Sequence, residues 1–318
     1  MIKISVVMAT YNRAAILPKA IDSILSQTFS DIEFVIVDDG SADSTPELLR
    51  KYIDKDNRIT VITQRNQGLA IARNNGVAKT SGEYIAFMDS DDACAVNRLE
   101  IQFNFLAKNP KYSACALSKL SSIKDYHPGI VANVDHQHHS YSGSAFHNNQ
   151  IFTSLGPHSF MTRESFLNIG GYRSQNTAIE DLDFTLRYSN HYTWAAINAG
   201  GSYFYTSPSD NPEEGLVNSD VLTFSKRILA CYISEWCRIN NIQDPVEQGR
   251  SLEEILAILN CIPTKDRAII YRNIRYFRST LSVIEGMSNR ASKNYLLSLL
   301  GDSILDRWLI KWWFKLRG

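Results

Sequence analysis

The chain offers no net charge to a polyanion: Lys plus Arg and Asp plus Glu both number 33 over 318 residues, and no basic block precedes the extreme C-terminus. Attraction of nucleic acid to the whole surface is therefore excluded, and nucleic acid is not an expected partner. Cysteine is scarce. The five present (Cys94, Cys115, Cys231, Cys237 and Cys261) form no Cys-x-x-Cys pair and no spacing suited to zinc or a disulfide framework, which fits a reducing, cytoplasmic compartment. Long apolar runs are missing too. Ile4-Ser5-Val6-Val7-Met8-Ala9 gives way to Thr10-Tyr11-Asn12-Arg13, too short for a signal peptide, and no run reaches transmembrane length. The first strand pattern is not followed by Gly-x-Gly-x-x-Gly, so a Rossmann dinucleotide cofactor is not expected.

What the chain does carry is an alternation of strand and helix patterns, with room for one large α/β domain and a smaller appendage. Ile2–Ala9 is a β-branched apolar run, and Leu17, Ala20, Ile21, Ile24 and Leu25 then repeat at helical spacing. Ile32–Val37 reads as a second buried strand ending in Asp38-Asp39-Gly40-Ser41. Ser44-Thr45-Pro46-Glu47 has the form of a capping box opening the next helix. Ile59–Thr63 predicts a third strand, Leu69–Lys79 a third helix and Tyr84–Met88 a fourth strand. This order implies a mainly parallel sheet covered on both faces. Right-handed crossovers then put Thr10–Arg13, Asp38–Ser41 and Asp89–Asp92 on one edge.

The fourth strand runs directly into Asp89-Ser90-Asp91-Asp92. Open α/β sheets bind ligands at the carboxyl ends of their strands. Two carboxylates one residue apart can hold Mg²⁺ or Mn²⁺, hard cations that favour oxygen and commonly share their shell with substrate phosphates. The implied ligand is a diphosphate. A solvated acidic turn is the competing reading of an isolated Asp-x-Asp, and context has to decide. Asp38 and Asp39 fit either a structural turn or acceptors for a base imide or ribose hydroxyl. Arg73 fits either a phosphate partner or a helix-surface residue.

Taken together, four segments resemble the family 2 glycosyltransferases with the GT-A fold, inverting and of bacterial type. They are Ser5-Val6-Val7-Met8-Ala9-Thr10-Tyr11-Asn12-Arg13, Val37-Asp38-Asp39-Gly40-Ser41, Asn66-Gln67-Gly68-Leu69-Ala70 with Ala72-Arg73-Asn74, and Gly82–Asp92. The resemblance covers about the first hundred residues. It implies inverting transfer of a sugar from a nucleotide diphosphate donor, usually UDP-linked, to a hydroxyl acceptor with Mn²⁺ or Mg²⁺. It also implies nucleoside contacts from Thr10 and Asp39, with Tyr11, Asn12, Arg13 and Arg73 in the donor site. Asp89 would lie by the ribose and metal, Asp91 would bind the metal directly, and Asp92 is a weaker candidate. Downstream, His158–Arg163, Leu167–Arg173 and Ile179–Phe184 are similar to the family's acceptor-side segment, whose Glu-Asp pair falls at Glu180-Asp181. Asp181 is then the expected base, with Glu180 facing acceptor or diphosphate and His158 either beside it or, as is the default for a His among apolar residues, a hydrogen-bonded core side chain. A first helical turn made acidic by the helix dipole is the alternative reading of the pair.

By this resemblance residues 1–217 form a GT-A catalytic domain (1–110 nucleotide half, 111–217 acceptor half), and 218–318 a helical region. Helices are predicted over Leu222–Asn240, Leu252–Leu259, Lys265–Phe277 and Tyr295–Lys315, with breaks at Pro245 and Pro263. The stretch His136-Gln137-His138-His139 lacks the register and companion ligands of a zinc site and reads as a solvated acceptor loop. In the last helix Leu305, Trp308, Leu309, Trp312 and Leu316 share a face flanked by Arg307, Lys311 and Lys315, which suits either peripheral contact with the cytoplasmic side of a membrane or burial. The expected partners are a nucleotide-sugar and a glycan or glycolipid acceptor, with oligomeric state left open. The competing function is a sugar-nucleotide-binding protein without turnover, serving as a scaffold.

Overall fold

The computed structural model describes residues 3–117, 121–133, 137–142, 154–174, 179–200, 202–205, 221–270 and 273. These fall into two compact units, one comprising the described residues up to Tyr205 and the other those from Val221 onward. The expected boundary between residues 217 and 218 lies in a stretch outside the described residues.

The first unit runs β1 (Ile4–Thr10), α1 (Leu17–Leu25), β2 (Ile32–Asp38), α2 (Thr45–Ile53), β3 (Ile59–Thr63), α3 (Leu69–Ala78) and β4 (Tyr84–Asp89). It continues with β5 (Ala93–Cys94), α4 (Arg98–Lys108), β6 (Ala114–Leu117), β7 (Ser121–Ser122), β8 (His138–Tyr141) and β9 (Ser159–Thr162). It closes with α5 (Arg163–Asn168), α6 (Glu180–His191), β10 (Trp194–Ile197) and β11 (Tyr203–Tyr205). Eight strands form one sheet in the order β3-β2-β1-β4-β9-β6-β10-β8, and β5-β11-β7 form a second, smaller one.

The first four strands of the large sheet are parallel, and their residues alternate between two cores. Val6 and Met8 of β1 join Leu17, Ile21 and Leu99 on one face, while Val7 joins Val77, Phe166 and Phe184 on the other. Burial of both faces is why these strands read as continuous apolar runs. Their register sets the functional edge. Thr10 pairs with Asp38 and Ala9 with Asp89, so β1, β2 and β4 end level with one another. Beyond β4 the sheet is mixed, because β9 is antiparallel to both β4 and β6.

Two local expectations are corrected. Ser44 makes no capping bond; Asp43 takes that place, its Oδ1 accepting from Thr45 N at 2.9 Å and its Oδ2 from Ala14 N at 3.1 Å. An Asp one residue earlier ties the helix start to the loop after β1 as well, which the Ser could not do. The histidine-rich stretch is not simply a loop: His138–Tyr141 is an edge strand antiparallel to β10, with Tyr141 stacked on Trp194 at 4.2 Å. His138 Nε2 sits 3.0 Å from the Tyr112 hydroxyl, whereas His136 and His147 lie outside the described residues.

In the second unit α7 (Val221–Ile239) packs on α8 (Leu252–Ala257), which opens with a true capping box between Ser251 and Glu254. Arg238 pairs with Glu235 and Asp244 there, and Trp236 Nε1 donates to Asp266 Oδ2 at 3.0 Å. Helix resumes after Pro263 over 264–270; the predicted helix Tyr295–Lys315 lies outside the described residues. Among the described residues no helix is long and apolar enough to cross a membrane.

The close seating of α3 on the sheet depends on a glycine. A Cβ at Gly76 would stand 2.6 Å from Val7 Cγ1 and 3.1 Å from Val37 Cγ2, and β-branched side chains in a sheet have little rotamer freedom to withdraw. Replacing a mid-helix Gly by Ala ordinarily gains about 1 kcal/mol. Gly76→Ala is instead expected to destabilise the fold by about 1–3 kcal/mol through overpacking. Urea denaturation of the variant would show this; an unchanged or raised midpoint would contradict it.

Candidate active site

Three strand ends and one helix start supply the site. After β1, Asn12 adopts φ 51°, the left-handed region that Asn tolerates better than most residues. Its Oδ1 accepts from Ala42 N at 2.7 Å and its own N–H donates to Ser41 Oγ at 2.9 Å. Asn12 therefore staples the loop after β1 to the loop after β2, a structural task that sequence reading did not assign to it. Tyr11 beside it is exposed. Arg13 anchors its backbone N–H to Thr45 Oγ1 at 3.0 Å and brings its guanidinium to 3.8 Å from Asp91.

The paired aspartates after β2 divide their work. Asp39 Oδ1 accepts from Gln64 Nε2 at 2.8 Å and Gln67 N at 2.9 Å, and its Oδ2 from Gly68 N at 2.8 Å. It thus builds the turn at Gly68, whose φ of 89° favours glycine, from which α3 departs. Asp38 Oδ1 accepts from Ser41 N at 3.0 Å, while Asp38 Oδ2 and Thr10 Oγ1 are buried polar atoms with no hydrogen-bond partner. Such atoms are rare in proteins and call for an explanation, a polar ligand being one. Thr10 was expected in the donor site on sequence grounds; Asp38, its in-register neighbour, was weighed only as a turn residue or acceptor.

Asp89, Asp91 and Asp92 bring one carboxylate oxygen each to within 4.8 Å of one another. The donor set is all oxygen, as Mg²⁺ or Mn²⁺ requires, and it lacks the imidazole or thiolate that would favour zinc. Asp92 is the buried member, hydrogen-bonded to the Tyr203 hydroxyl, which also accepts from Asp89 N at 3.4 Å. Burial first, and then Asp92, raises the Tyr203 phenol well above its ordinary range, so it stays protonated. Arg98, fully buried, lies over the Tyr203 ring at 4.9 Å.

His158, expected either near the diphosphate or acceptor or as a core side chain, is buried, its ring against Tyr203 at 5.9 Å. Burial, and then the Arg98 charge, push its imidazole down to about 3. A neutral, enclosed imidazole packs the floor of the site and brings no charge to a ligand.

Arg73 is neither on the helix surface nor facing solvent. Its Nη2 donates to Asp89 Oδ1 at 2.6 Å and its Nη1 to Glu180 Oε1 at 2.9 Å, with 3 % of the side chain exposed. Glu180 and Asp181 open α6, where the helix dipole favours negative charge. Burial pushes the Glu180 carboxyl up to about 7 against the pull of Arg73, and the Asp181 and Asp89 charges add to the rise. Asp181 Oδ1 accepts from Leu182 N at 2.8 Å and its Oδ2 from Ser154 Oγ at 2.5 Å. Gly156 lets the chain run close by, since a Cβ there would meet Asp181 Oδ2 at 3.2 Å. Asp183, the third acid of this turn, is buried and paired with Arg187 at 2.9 Å, a core contact. One connected set of contacts thus runs from Arg13 through Asp91 to Asp89, Arg73 and Glu180. Sequence reading missed Ser154, Tyr203 and Arg98, because support of a site carries no motif of its own.

Comparison with known proteins bears on family and fold. A glycosyltransferase of Haemophilus influenzae whose function is uncharacterised is 45 % identical over 107 residues, 33 % of this chain and 43 % of that protein. The chain therefore covers less than half the length of that relative. Among solved structures, S. aureus TarS (residues 1–349) in complex with UDP-GlcNAc superposes with a TM-score of 0.58 at 18 % identity, covering 90 % of this chain and 93 % of that one. The mannosyltransferase PcManGT of Pyrobaculum calidifontis, in complex with GDP-Man and Mn²⁺, gives 0.52 at 15 % identity, over 98 % and 85 % of the two chains. At these identities the likeness is one of fold, the GT-A fold expected from the sequence. The model of glycosyl transferase family 2 matches residues 5–172, more than half of the chain. With that match, the level strand ends and the carboxylate cluster behind it, the chain belongs to glycosyl transferase family 2.

Proposed function

We propose that the protein transfers a sugar, with inversion, from a nucleotide diphosphate donor to a hydroxyl acceptor, and that the donor lies along the ends of β1, β2 and β4. The observation that carries this reading is the meeting of two acidic groups, Asp89-Asp91-Asp92 and Glu180-Asp181, connected by one buried guanidinium. Thr10 and Asp38, with unmatched buried oxygens, suit the N–H and hydroxyl groups of a nucleoside, with Tyr11 exposed beside them. UDP is the favoured nucleotide, in keeping with the UDP-GlcNAc complex of TarS.

Asp89 and Asp91 would hold Mn²⁺ or Mg²⁺, with Asp92 behind them. A bound cation supplies charge neutralisation for the departing diphosphate. Inversion needs a base on the face opposite the leaving group, and Asp181, next to the Glu180 that Arg73 holds, is the carboxylate we favour for it. There it would take the proton of the attacking hydroxyl, a contribution of roughly 10²–10⁴-fold. Bacterial surface polysaccharide or glycolipid is the acceptor class we favour. In a cytoplasmic enzyme the basic, Trp-bearing face of residues 305–316 would then meet the inner membrane surface.

Asp91→Asn is expected to give a folded protein without metal-dependent turnover, since a neutral amide is a poorer ligand for a hard cation. Full activity of this variant at saturating donor would remove Asp91 from the metal site. Asp181→Asn should bind donor with near-normal affinity, as read by calorimetry, yet lose turnover by roughly 10²-fold or more. Unchanged turnover would leave a binding protein or another base. For the membrane contact, the full chain should sediment with anionic but not zwitterionic vesicles at low salt. The double substitution Trp308→Ser/Trp312→Ser should abolish this, each basic residue nearby contributing about 1 kcal/mol. No sedimentation of the unaltered chain would place that face against protein instead.

A further inference from the structure

Arg73 has two carboxylate partners on different elements, at the end of β4 and the start of α6. A planar guanidinium can present separate N–H groups to both at once, which a lysine ammonium on its flexible stem does not do with the same fixed geometry. The side chain is locked along its length. Tyr172 lies over the guanidinium at 5.4 Å, and its hydroxyl donates to Leu155 O at 3.1 Å. The next residue on α3 secures that ring. Asn74 Nδ2 donates to Tyr172 O at 2.7 Å, while Asn74 Oδ1 accepts from Tyr172 N at 3.0 Å. The backbone approach is possible because residue 171 is glycine, at φ 66°, where a Cβ would stand 2.6 Å from Asn74 Oδ1. Helix α3 therefore delivers Asn74 to hold the Gly170–Tyr172 turn and Arg73 to hold the two acids.

We propose that Arg73 is a positioning residue for the transfer reaction: it fixes Asp89 and Glu180 in one arrangement and does not itself bind the donor diphosphate. This rests on the reading above, in which Asp89 serves the cation and Asp181, next to Glu180, is the base. With Asp89 Oδ1 engaged by Arg73, Oδ2 is the oxygen left to a cation. With Glu180 Oε1 engaged, the first turn of α6 is held in register with the strand end, and Asp181 with it. Arg73 also supplies the positive charge that lets the carboxylates of this crowded region coexist, since like charges there oppose one another's ionisation. A phosphate ligand would need N–H groups turned toward the donor, whereas one N–H on each terminal nitrogen is aimed at a carboxylate and only 3 % of the side chain is exposed.

The test uses Arg73→Lys, Arg73→Met, Glu180→Gln and the double variant Arg73→Met/Glu180→Gln in the full chain, each measured three ways. Calorimetry with UDP at saturating Mn²⁺ is expected to give affinities within about threefold of the unaltered protein. Turnover of donor should fall by about tenfold or more in Arg73→Lys, a loss in kcat and not in KM. Thermal melting should show Arg73→Met strongly destabilised and the double variant less so, because the second change removes a buried charge left unpaired by the first. That thermal cycle needs no turnover, so it still reports on the pairing if the donor is misassigned. A tenfold or greater loss of UDP affinity in Arg73→Lys with kcat intact would make Arg73 a phosphate ligand and overturn the proposal. Additive effects on melting would overturn it too.

Discussion

Asp89, Asp91, Asp92, Glu180 and Asp181 all approach the carboxyl edge of one sheet, and such crowding of like charge in a poorly solvated place is unstable without cations among them. Arg73 meets that constraint from inside the fold, and Arg13 does so from the rim, at 3.8 Å from Asp91. A buried pair of this kind contributes little net stability, since desolvation offsets most of the attraction, but breaking one side is costly. Its effect is to fix geometry. The acids from β4 and from α6 are held in contact with the same guanidinium, and their separation is set by it.

The rest of the first unit makes that contact possible. Parallel pairing of β1 with β2 and β4 ends the three strands level, so that Thr10, Asp38 and Asp89 share an edge. Gly76 lets α3 lie close against Val7 and Val37, which fixes where Arg73 emerges. Antiparallel β9 then joins β4 to β6 and leads the chain into α5, while β11 returns Tyr203 beneath the acidic cluster. Local chemistry, sheet register and electrostatics agree at this edge, as expected where a fold specifies a site.

Much of this was legible in the amino-acid sequence. Parallel strands buried on both faces announce themselves as apolar runs, so β1 to β4, with α1 and α3 between them, were placed within a residue or two of their observed bounds, and α2 at its start. The carboxylates at strand ends were legible for the same reason. What stayed hidden was partnership across the chain. The separation of 107 residues between Arg73 and Glu180 leaves no local pattern, nor does the reach of Tyr203 to Asp92. His158 was open to two readings because a histidine within a matched segment looks the same whether it faces ligand or core. The strand at His138–Tyr141 was masked by a polar composition that suits an edge as well as a loop. Ser44 lost its capping role to Asp43 because that aspartate also had Ala14 N to satisfy.

The most direct measurement is release of free nucleotide from UDP-, GDP- and TDP-sugars by the purified chain, with Mn²⁺ present and again after chelation. Transfer chemistry at the strand-end carboxylates requires release from at least one donor, UDP-linked sugars foremost, that stops on chelation and returns with Mn²⁺. Release that is indifferent to chelation, or binding of a nucleotide-sugar without release from any donor in the panel, would contradict a metal-assisted transferase.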